Sequence, residues 1–105
     1  MQIRKNNHGF NFDKYSTFKQ DIDPKQRAWI EVNGKALETN VRQLRTKLSQ
    51  NCQFMAVVKA DGYGHDAKVV SDYAIKGGAS QLGVATLKEG IRLRSYGFKK
   101  PILIL

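Results

Sequence analysis

Apolar and polar residues change their spacing several times along this chain, and each change predicts a different element. Residues 28–32, AWIEV, mix apolar and polar side chains in the alternating manner of a half-buried strand. Asn33 follows with a side-chain oxygen suited to capping a helix. Apolar residues then recur at spacings of four, three and four, at Leu37, Val41, Leu44 and Leu48. This spacing predicts one apolar face on an amphipathic helix of about four turns.

The same changes of pattern recur after that helix. FMAVV at 54–58 is a continuous apolar run, which is typical of a strand that is covered on both faces in a parallel sheet. Helical spacing returns over 66–76, and Gly77 and Gly78 are positioned to end that helix in a left-handed turn. A strand is therefore followed by a helix for the second time.

A third repeat of the pattern fills the last part of the chain. A short apolar run at 81–85 predicts another strand, and Thr86 can cap the following helix, which Gly97 ends. PILIL at 101–105 is a further strand of the buried type. Strands and helices that alternate at this spacing are typical of right-handed β/α units.

Two architectures use such units, the open doubly wound sheet and the closed (β/α)₈ barrel. No GxGxxG follows a predicted strand, so a dinucleotide-binding sheet has less support. A barrel takes about 250 residues, whereas this chain of 105 residues supplies about three β/α units. We therefore expect an α/β fold that is a partial TIM-type barrel, and the N-terminal part of a longer protein. Whether the sequence is a truncated gene product or a fragment record stays open.

Residues 1–26 differ from the rest, because they are polar and rich in asparagine with no sustained periodicity. They predict a flexible leader ahead of a domain over 27–105. An apolar content of 41% allows one small domain with a modest core. Cys52 is the only cysteine, and no apolar run approaches the length of a membrane span, so we expect a soluble, cytoplasmic protein.

The formal charge of +9 raises the question of a nucleic-acid surface. The cations are interleaved with apolar residues, as on solvated helix faces, and no nucleic-acid motif accompanies them. His8 has no cysteine or second histidine near it in the sequence. We therefore expect neither nucleic-acid binding nor a metal site.

Lys59 follows the apolar run at 54–58 directly, in the stretch AVVKADGYGHD. Lysine is rarely buried unless it is paired or used, and β/α proteins place their chemistry at the carboxyl ends of parallel strands. Desolvation there favours the neutral amine, which can act as a base or attack an aldehyde. The alternative is a stem that packs on the strand while the charged head reaches solvent. The spacing alone leaves both interpretations open.

The loop after the lysine favours a chemical role. Gly62 and Gly64 permit a left-handed backbone, and Tyr63 can place an aromatic ring and a hydroxyl beside whatever the lysine holds. Asp61 can cap or pair within the turn, and His65 can donate a hydrogen bond that fixes it. For both of these side chains a structural role is favoured over a chemical one, because neither has a visible second partner.

AVVKADGYGHD resembles the cofactor-lysine motif of the alanine racemases, which are pyridoxal-phosphate enzymes of fold type III. RAWIEVNGKALETNVRQLR resembles the opening strand and first helix of that family, GGASQLGVATLKEGIRLRSYG resembles its second strand and following helix, and KKPILIL resembles the next strand. The resemblance covers 27–105 without an obvious gap. Small pyridoxal-phosphate homeostasis proteins carry a lysine at the same place but lack the YGH that follows here.

The resemblance implies that Lys59 holds pyridoxal phosphate as an imine and acts as one of two bases that flank the α-carbon of an amino acid. It also implies that Tyr63 lies near the cofactor and that Leu105 lines its pocket. The implied activity is the interconversion of L-alanine and D-alanine for peptidoglycan synthesis. Asp66 departs from the glycine that is usual in the family, and aspartate is a good helix N-cap.

The resemblance further implies a homodimer, because the opposite base in the family is a tyrosine from the C-terminal domain of the partner subunit. That domain and the later barrel strands are absent from these 105 residues, so we expect the chain alone to be inactive. Two alternatives stay open. One is a racemase that acts on serine or on a broader set of amino acids, and the other is a non-catalytic protein that carries pyridoxal phosphate.

Overall fold

The structure contains the alternating order of strands and helices that the sequence predicts. The computed structural model of the chain describes residues 2–4, 17–19 and 29–105. The elements are β1 Gln2–Arg4, β2 Thr17–Lys19, β3 Trp29–Asn33, α1 Gly34–Thr46, β4 Met55–Val57, α2 Lys59–Tyr63, α3 Ala67–Gly77, β5 Gln81–Val84, α4 Leu87–Ser95 and β6 Ile102–Ile104. Among these described residues, no helix combines the length and the apolar character needed to cross a membrane.

A parallel sheet in the order β4-β5-β6 forms the centre of the β/α region. Its register pairs Val57 with Gly83 and Val84 with Ile104. A cluster of fully buried side chains, Val58, Leu82, Val84 and Leu93, packs between the sheet and α4. Burying each of these side chains contributes roughly 1.5–3 kcal/mol. The three strands and their connecting helices confirm the predicted partial TIM-type barrel.

The other face of this sheet is open within the described part of the chain. Val57 and Leu103 are 38% and 50% exposed, and the Met55 and Val57 side chains lie beside Gly83 on that face. The expectation that the strand at 54–58 is covered on both faces is therefore wrong for the described residues. The reason is that the buried cluster lies on one face of the sheet only.

A second, antiparallel sheet has the order β1-β3-β2. β1 and β2, at Gln2–Arg4 and Thr17–Lys19, lie within the predicted leader, whose flexibility stays a prediction. Strands of three residues are too short to show a period, and their pairing with β3 supplies backbone hydrogen bonds that no local pattern reveals. The other residues of the predicted leader, His8 among them, lie outside the described residues.

α1 is confirmed, but its apolar face is narrower than predicted. Val41 is buried, whereas Leu44 is 56% exposed. α1 packs closely on α3 at Gly77, where an added Cβ would lie 2.6 Å from the Glu38 carbonyl oxygen and 2.7 Å from Val41 Cβ. Only glycine permits this approach, and the contact therefore centres on Val41 and leaves Leu44 at its margin.

The predicted helix ends are confirmed in detail. Asn33 accepts a hydrogen bond from the Ala36 N–H at 2.9 Å, which caps α1. Thr86 caps α4, and Gly78 ends α3 with a left-handed φ of 117°. These local signals depend on residues within one helical turn, so the sequence carries them completely.

Candidate active site

Lys59 lies just beyond the carboxyl end of β4. Val58, between the strand and the lysine, still donates its N–H to the Gly83 oxygen at 2.8 Å, so the backbone is tied to β5 up to the lysine. The Lys59 side chain is half-buried. The structure therefore confirms that an amine is held at the edge of a parallel sheet where β/α proteins collect their functional loops.

The chain after Lys59 forms a left-handed turn instead of an ordinary loop. Ala60, Asp61, Gly62 and Tyr63 have φ angles of 51°, 55°, 65° and 57°. The Gly62 N–H donates to the Val58 oxygen at 2.9 Å, and the Gly64 N–H donates to the Ala60 oxygen at 3.0 Å. A residue other than glycine costs roughly 1–2 kcal/mol in this conformation. The turn is therefore strained, and other contacts must hold it.

Two side chains within the turn contribute such contacts. Asp61 Oδ1 accepts the Ala67 N–H at 2.9 Å, which ties the turn to the first residue of α3. His65 Nδ1 lies 2.9 Å from the Gly62 oxygen, so the ring hydrogen-bonds the turn itself. Both contacts agree with the structural roles that the sequence favours for these two residues.

Gly62 and Asp66 connect the turn to α3. Gly62 is buried, and a Cβ there would lie 3.0 Å from Val70 Cγ2. Asp66 Oδ1 accepts the N–H groups of Lys68 and Val69 at 2.9 and 3.2 Å. Asp66 is thus the N-cap of α3, as its residue type predicts.

Tyr63 and Leu105 occupy different positions relative to the lysine. Lys59 Nζ lies 6.0 Å from the centroid of the Tyr63 ring, so the aromatic ring is beside the amine. Leu105 follows β6 directly, and its N–H donates to the Val84 oxygen at 2.8 Å. All three residues lie at the same edge of the sheet, but β5 separates Leu105 from Lys59.

Glu89 is a residue of this edge that the sequence reasoning missed. Its Oε1 accepts the N–H of Ala60, the first residue after the lysine, at 2.8 Å. Its Oε2 accepts the N–H groups of Ala85 and Thr86 at 2.7 and 3.0 Å. The spacing of Thr86 and Glu89 is the signal of a capping box, which the structure contains. The bond to Ala60 spans 29 residues and has no local signal.

These bonds favour the charged form of Glu89. The hydrogen bond from Ala60, followed by the one from Ala85, lowers the pKa of the Glu89 carboxyl below its ordinary value. The group is therefore an anion at neutral pH. A cavity of about 310 Å³ lies between the turn and α4, and Ala60, Asp61, Glu89 and Arg92 line part of it.

The sheet and its lysine define the N-terminal portion of a β/α barrel with an amine at the carboxyl edge. The family model described as the alanine racemase N-terminal domain matches residues 32–105. The chain belongs to the alanine racemase family.

Curated relatives agree with this assignment. An alanine racemase from Nostoc sp. is 53% identical over 93 residues, which are 89% of this chain and 22% of the relative. An alanine racemase from Prochlorococcus marinus is 52% identical over 84 residues, which are 80% of this chain and 22% of the relative. A protein named amino-acid racemase, from Enterococcus faecalis, is 49% identical over 79 residues, which are 75% of this chain and 11% of the relative.

Solved structures of the same family share the fold. The crystal structure of alanine racemase from Enterococcus faecalis matches with a TM-score of 0.68 and 44% identity, over 69% of this chain and 19% of that one. The alanine racemase of Bacillus anthracis with bound L-Ala-P matches with a TM-score of 0.67 and 38% identity, over 69% of this chain and 19% of that one. The chain therefore spans about a fifth of the length of these relatives.

Proposed function

We propose that this chain supplies the cofactor-binding lysine of an alanine racemase that depends on pyridoxal phosphate. Lys59 is the residue that holds the cofactor, with Tyr63 beside it and Leu105 at the wall of the same pocket. The observation that carries the proposal is the position of Lys59, half-buried at the carboxyl edge of the parallel sheet in a chain of this family.

The residues of this edge fit the aldehyde end of the cofactor. An amine that is half-buried, with an aromatic ring 6.0 Å away, can bond an aldehyde carbon with loss of one water molecule. The proposal assigns to this chain the covalent attachment of the cofactor and leaves the phosphate contacts to the rest of the barrel.

When bound, pyridoxal phosphate withdraws electrons and so makes the α-proton of an amino acid removable. The task of this chain is to hold or release that proton at Lys59 Nζ, on one face of the α-carbon. Exchange of configuration also requires a base on the opposite face. We infer that a partner subunit supplies it, so the active protein is a homodimer and these 105 residues alone do not racemise alanine.

The substrate pair is L-alanine and D-alanine, and the product D-alanine serves peptidoglycan synthesis in the cytoplasm. Relatives that carry the name alanine racemase support this choice. A broader amino-acid racemase is a second candidate, because the Enterococcus faecalis relative has that name at a similar identity. Racemisation of serine at a rate comparable to that of alanine would favour the second candidate.

A graft tests the proposed function. Residues 32–105 replace the matching segment of the Nostoc racemase, which supplies the remaining barrel, and racemisation of each alanine enantiomer is followed. We expect the graft to racemise both enantiomers and Lys59→Arg to abolish the activity, whereas Lys68→Arg, at an exposed position of α3, keeps it. A folded graft that retains activity without Lys59 would contradict the assignment.

The graft also distinguishes a racemase from a protein that only carries pyridoxal phosphate. An intact graft exchanges the α-proton of alanine with deuterium from the solvent on both faces if the chain belongs to a racemase. Covalent attachment of the cofactor with no exchange of that proton would instead identify a protein that only carries it.

A further inference from the structure

Glu89 joins three separate backbone segments at the edge that carries Lys59. One oxygen accepts the N–H of Ala60, and the other accepts the N–H groups of Ala85 and Thr86. Ala60 follows β4, Ala85 follows β5, and Glu89 itself belongs to the first turn of α4. A single carboxylate therefore connects the ends of two parallel strands to the start of a helix.

The bond to Ala60 acts on the peptide unit that begins at the lysine. The Ala60 nitrogen is bonded covalently to the Lys59 carbonyl carbon, so a fixed Ala60 N–H fixes the plane of that peptide. Ala60 is also the first residue of the turn with a left-handed φ, at 51°. A strained backbone persists only where its surroundings hold it. The Glu89 bond holds the backbone at the residue where the strain begins.

Both oxygens of Glu89 are needed for this arrangement. Hydrogen bonds from N–H groups to a carboxylate are shorter and stronger than those between neutral groups, and the three distances here lie between 2.7 and 3.0 Å. In an ordinary capping box the glutamate side chain accepts one hydrogen bond, from the N–H of the N-cap residue. Oε2 already accepts that bond from Thr86. The Oε1 contact is additional to the cap of α4.

We propose that Glu89 is a positioning residue for Lys59, which sets the direction of the amine by holding the Ala60 N–H. Glu89 acts through the backbone and does not touch the reacting atoms. The inference rests on the proposed role of Lys59 in binding an aldehyde, and it assigns to Glu89 a task beyond capping α4.

Two variants separate this task from the cap. Glu89→Gln keeps one acceptor oxygen, and glutamine is an accepted member of the capping box, so α4 stays capped while the Ala60 bond is lost. Thr86→Val is the matched control, because it removes the hydroxyl that caps the Glu89 N–H and leaves both carboxylate oxygens in place. A merely structural role predicts that the two variants have similar effects on the lysine.

The first measurement requires no cofactor. Hydrogen exchange of the Ala60 amide in the 105-residue chain is followed by NMR for the wild type and both variants. We expect exchange to be about tenfold faster in Glu89→Gln, since a bond to a charged acceptor is lost, and unchanged in Thr86→Val. Equal protection of Ala60 in the wild type and in Glu89→Gln would overturn the proposal.

The second measurement follows the lysine itself. Pyridoxal phosphate is added, the attached product is reduced with borohydride, and the rate of labelling at Lys59 is determined by peptide mapping. We expect a rate about 10- to 100-fold lower in Glu89→Gln, because the amine is misdirected, and a rate near that of the wild type in Thr86→Val. The circular dichroism of the attached chromophore should change in Glu89→Gln only.

The two proposals fail in different ways. If the wild type is not labelled at Lys59, the proposed function falls, while the exchange of the Ala60 amide still decides the role of Glu89. If the wild type and Glu89→Gln are labelled at equal rates with the same dichroism, Glu89 does not position the lysine, and the proposed function stands.

Discussion

The contact between α1 and α3 and the edge after β4 each hold a glutamate whose pKa is lowered, but the two glutamates have different partners. Glu38 accepts hydrogen bonds from the Arg42 and Lys35 side chains, at 2.8 and 3.3 Å, and Arg42 contributes most to the lower pKa of its carboxyl. Glu89 accepts hydrogen bonds from backbone N–H groups, and the one from the Ala60 N–H contributes most to the lower pKa of its carboxyl. The first glutamate stabilises one helix locally, and the second joins distant segments.

The backbone differs between these regions in the same way. α1 and α3 meet through a buried cluster that contains Val41, Ala74 and Ala79. The turn after Lys59 has four successive left-handed residues. Packing stability and stored strain are therefore separated in this chain. Strain is placed beside the amine, as is common at functional sites.

The largest effect on stability is expected at the contact between α1 and α3. Gly77→Ala would place a Cβ 2.6 Å from the backbone carbonyl oxygen of Glu38, and this overpacking should reduce the free energy of unfolding by about 1–3 kcal/mol. Thermal unfolding measures the loss. Lys59 should be labelled by pyridoxal phosphate at the wild-type rate well below the melting temperature, and a slower rate there would show that the two regions are not separate.

Gly62→Ala is the corresponding change in the turn. It should cost roughly 1–2 kcal/mol for the left-handed φ of 65° and, unlike Gly77→Ala, should also slow labelling of Lys59, because its Cβ presses on Val70. Gly64→Ala is the matched control, since φ is 83° but, among the described residues beyond its chain neighbours, no atom lies within 4 Å of the added Cβ. If both alanine variants label Lys59 as fast as the wild type, the shape of the turn does not direct the amine.

A smaller effect is expected at the start of α1. Asn33→Ala removes the acceptor of the Ala36 N–H and should reduce the free energy of unfolding by about 1 kcal/mol. Denaturant unfolding gives this value, with Asn40→Ala on the exposed side of the same helix as the control. Labelling of Lys59 should not change, and a slower rate would connect α1 to the site.

The smallest effect is a difference in response to pH and salt. A carboxyl with a lowered pKa in the folded chain stabilises it above the ordinary pKa, and this contribution is lost as the pH falls through the lowered value. Salt should weaken the contribution of Glu38, whose partners are exposed cations, more than that of Glu89. NMR titration of both carboxyl groups at low and high salt checks this. An equal change of the two pKa values with salt would mean that Glu38 and Glu89 are stabilised by the same kind of interaction.

The elements and caps of the β/α region could be predicted because their signals are local. Asn33, Asp66 and Thr86 each cap the helix that begins immediately after them, and Gly78 ends α3 where its spacing predicts. The position of Lys59 follows from one apolar run. The positions of the lysine and of the Tyr63 ring could therefore be predicted from eleven consecutive residues, AVVKADGYGHD.

The remaining features depend on contacts between distant residues. The bond from Ala60 to Glu89 requires β4 and α4 to be placed first, and the exposure of Leu44 depends on how closely α1 approaches Gly77. The left-handed turn could be predicted only in part. Gly62 and Gly64 indicate a left-handed backbone by their residue type, but no signal in the sequence indicates it at Ala60 or Asp61. Roles for Tyr63 and Leu105 at a cofactor stay predictions.

Whether Lys59 binds the cofactor is tested most directly by identifying the lysine that pyridoxal phosphate labels. The chain is incubated with the cofactor at a concentration close to its own, reduced with borohydride, digested and mapped by mass spectrometry. We predict that the label is on the peptide containing Lys59 and that it disappears in Lys59→Arg. A label distributed over exposed lysines such as Lys68 and Lys88, with Lys59 unmodified, would contradict the assignment of Lys59 as the cofactor-binding residue.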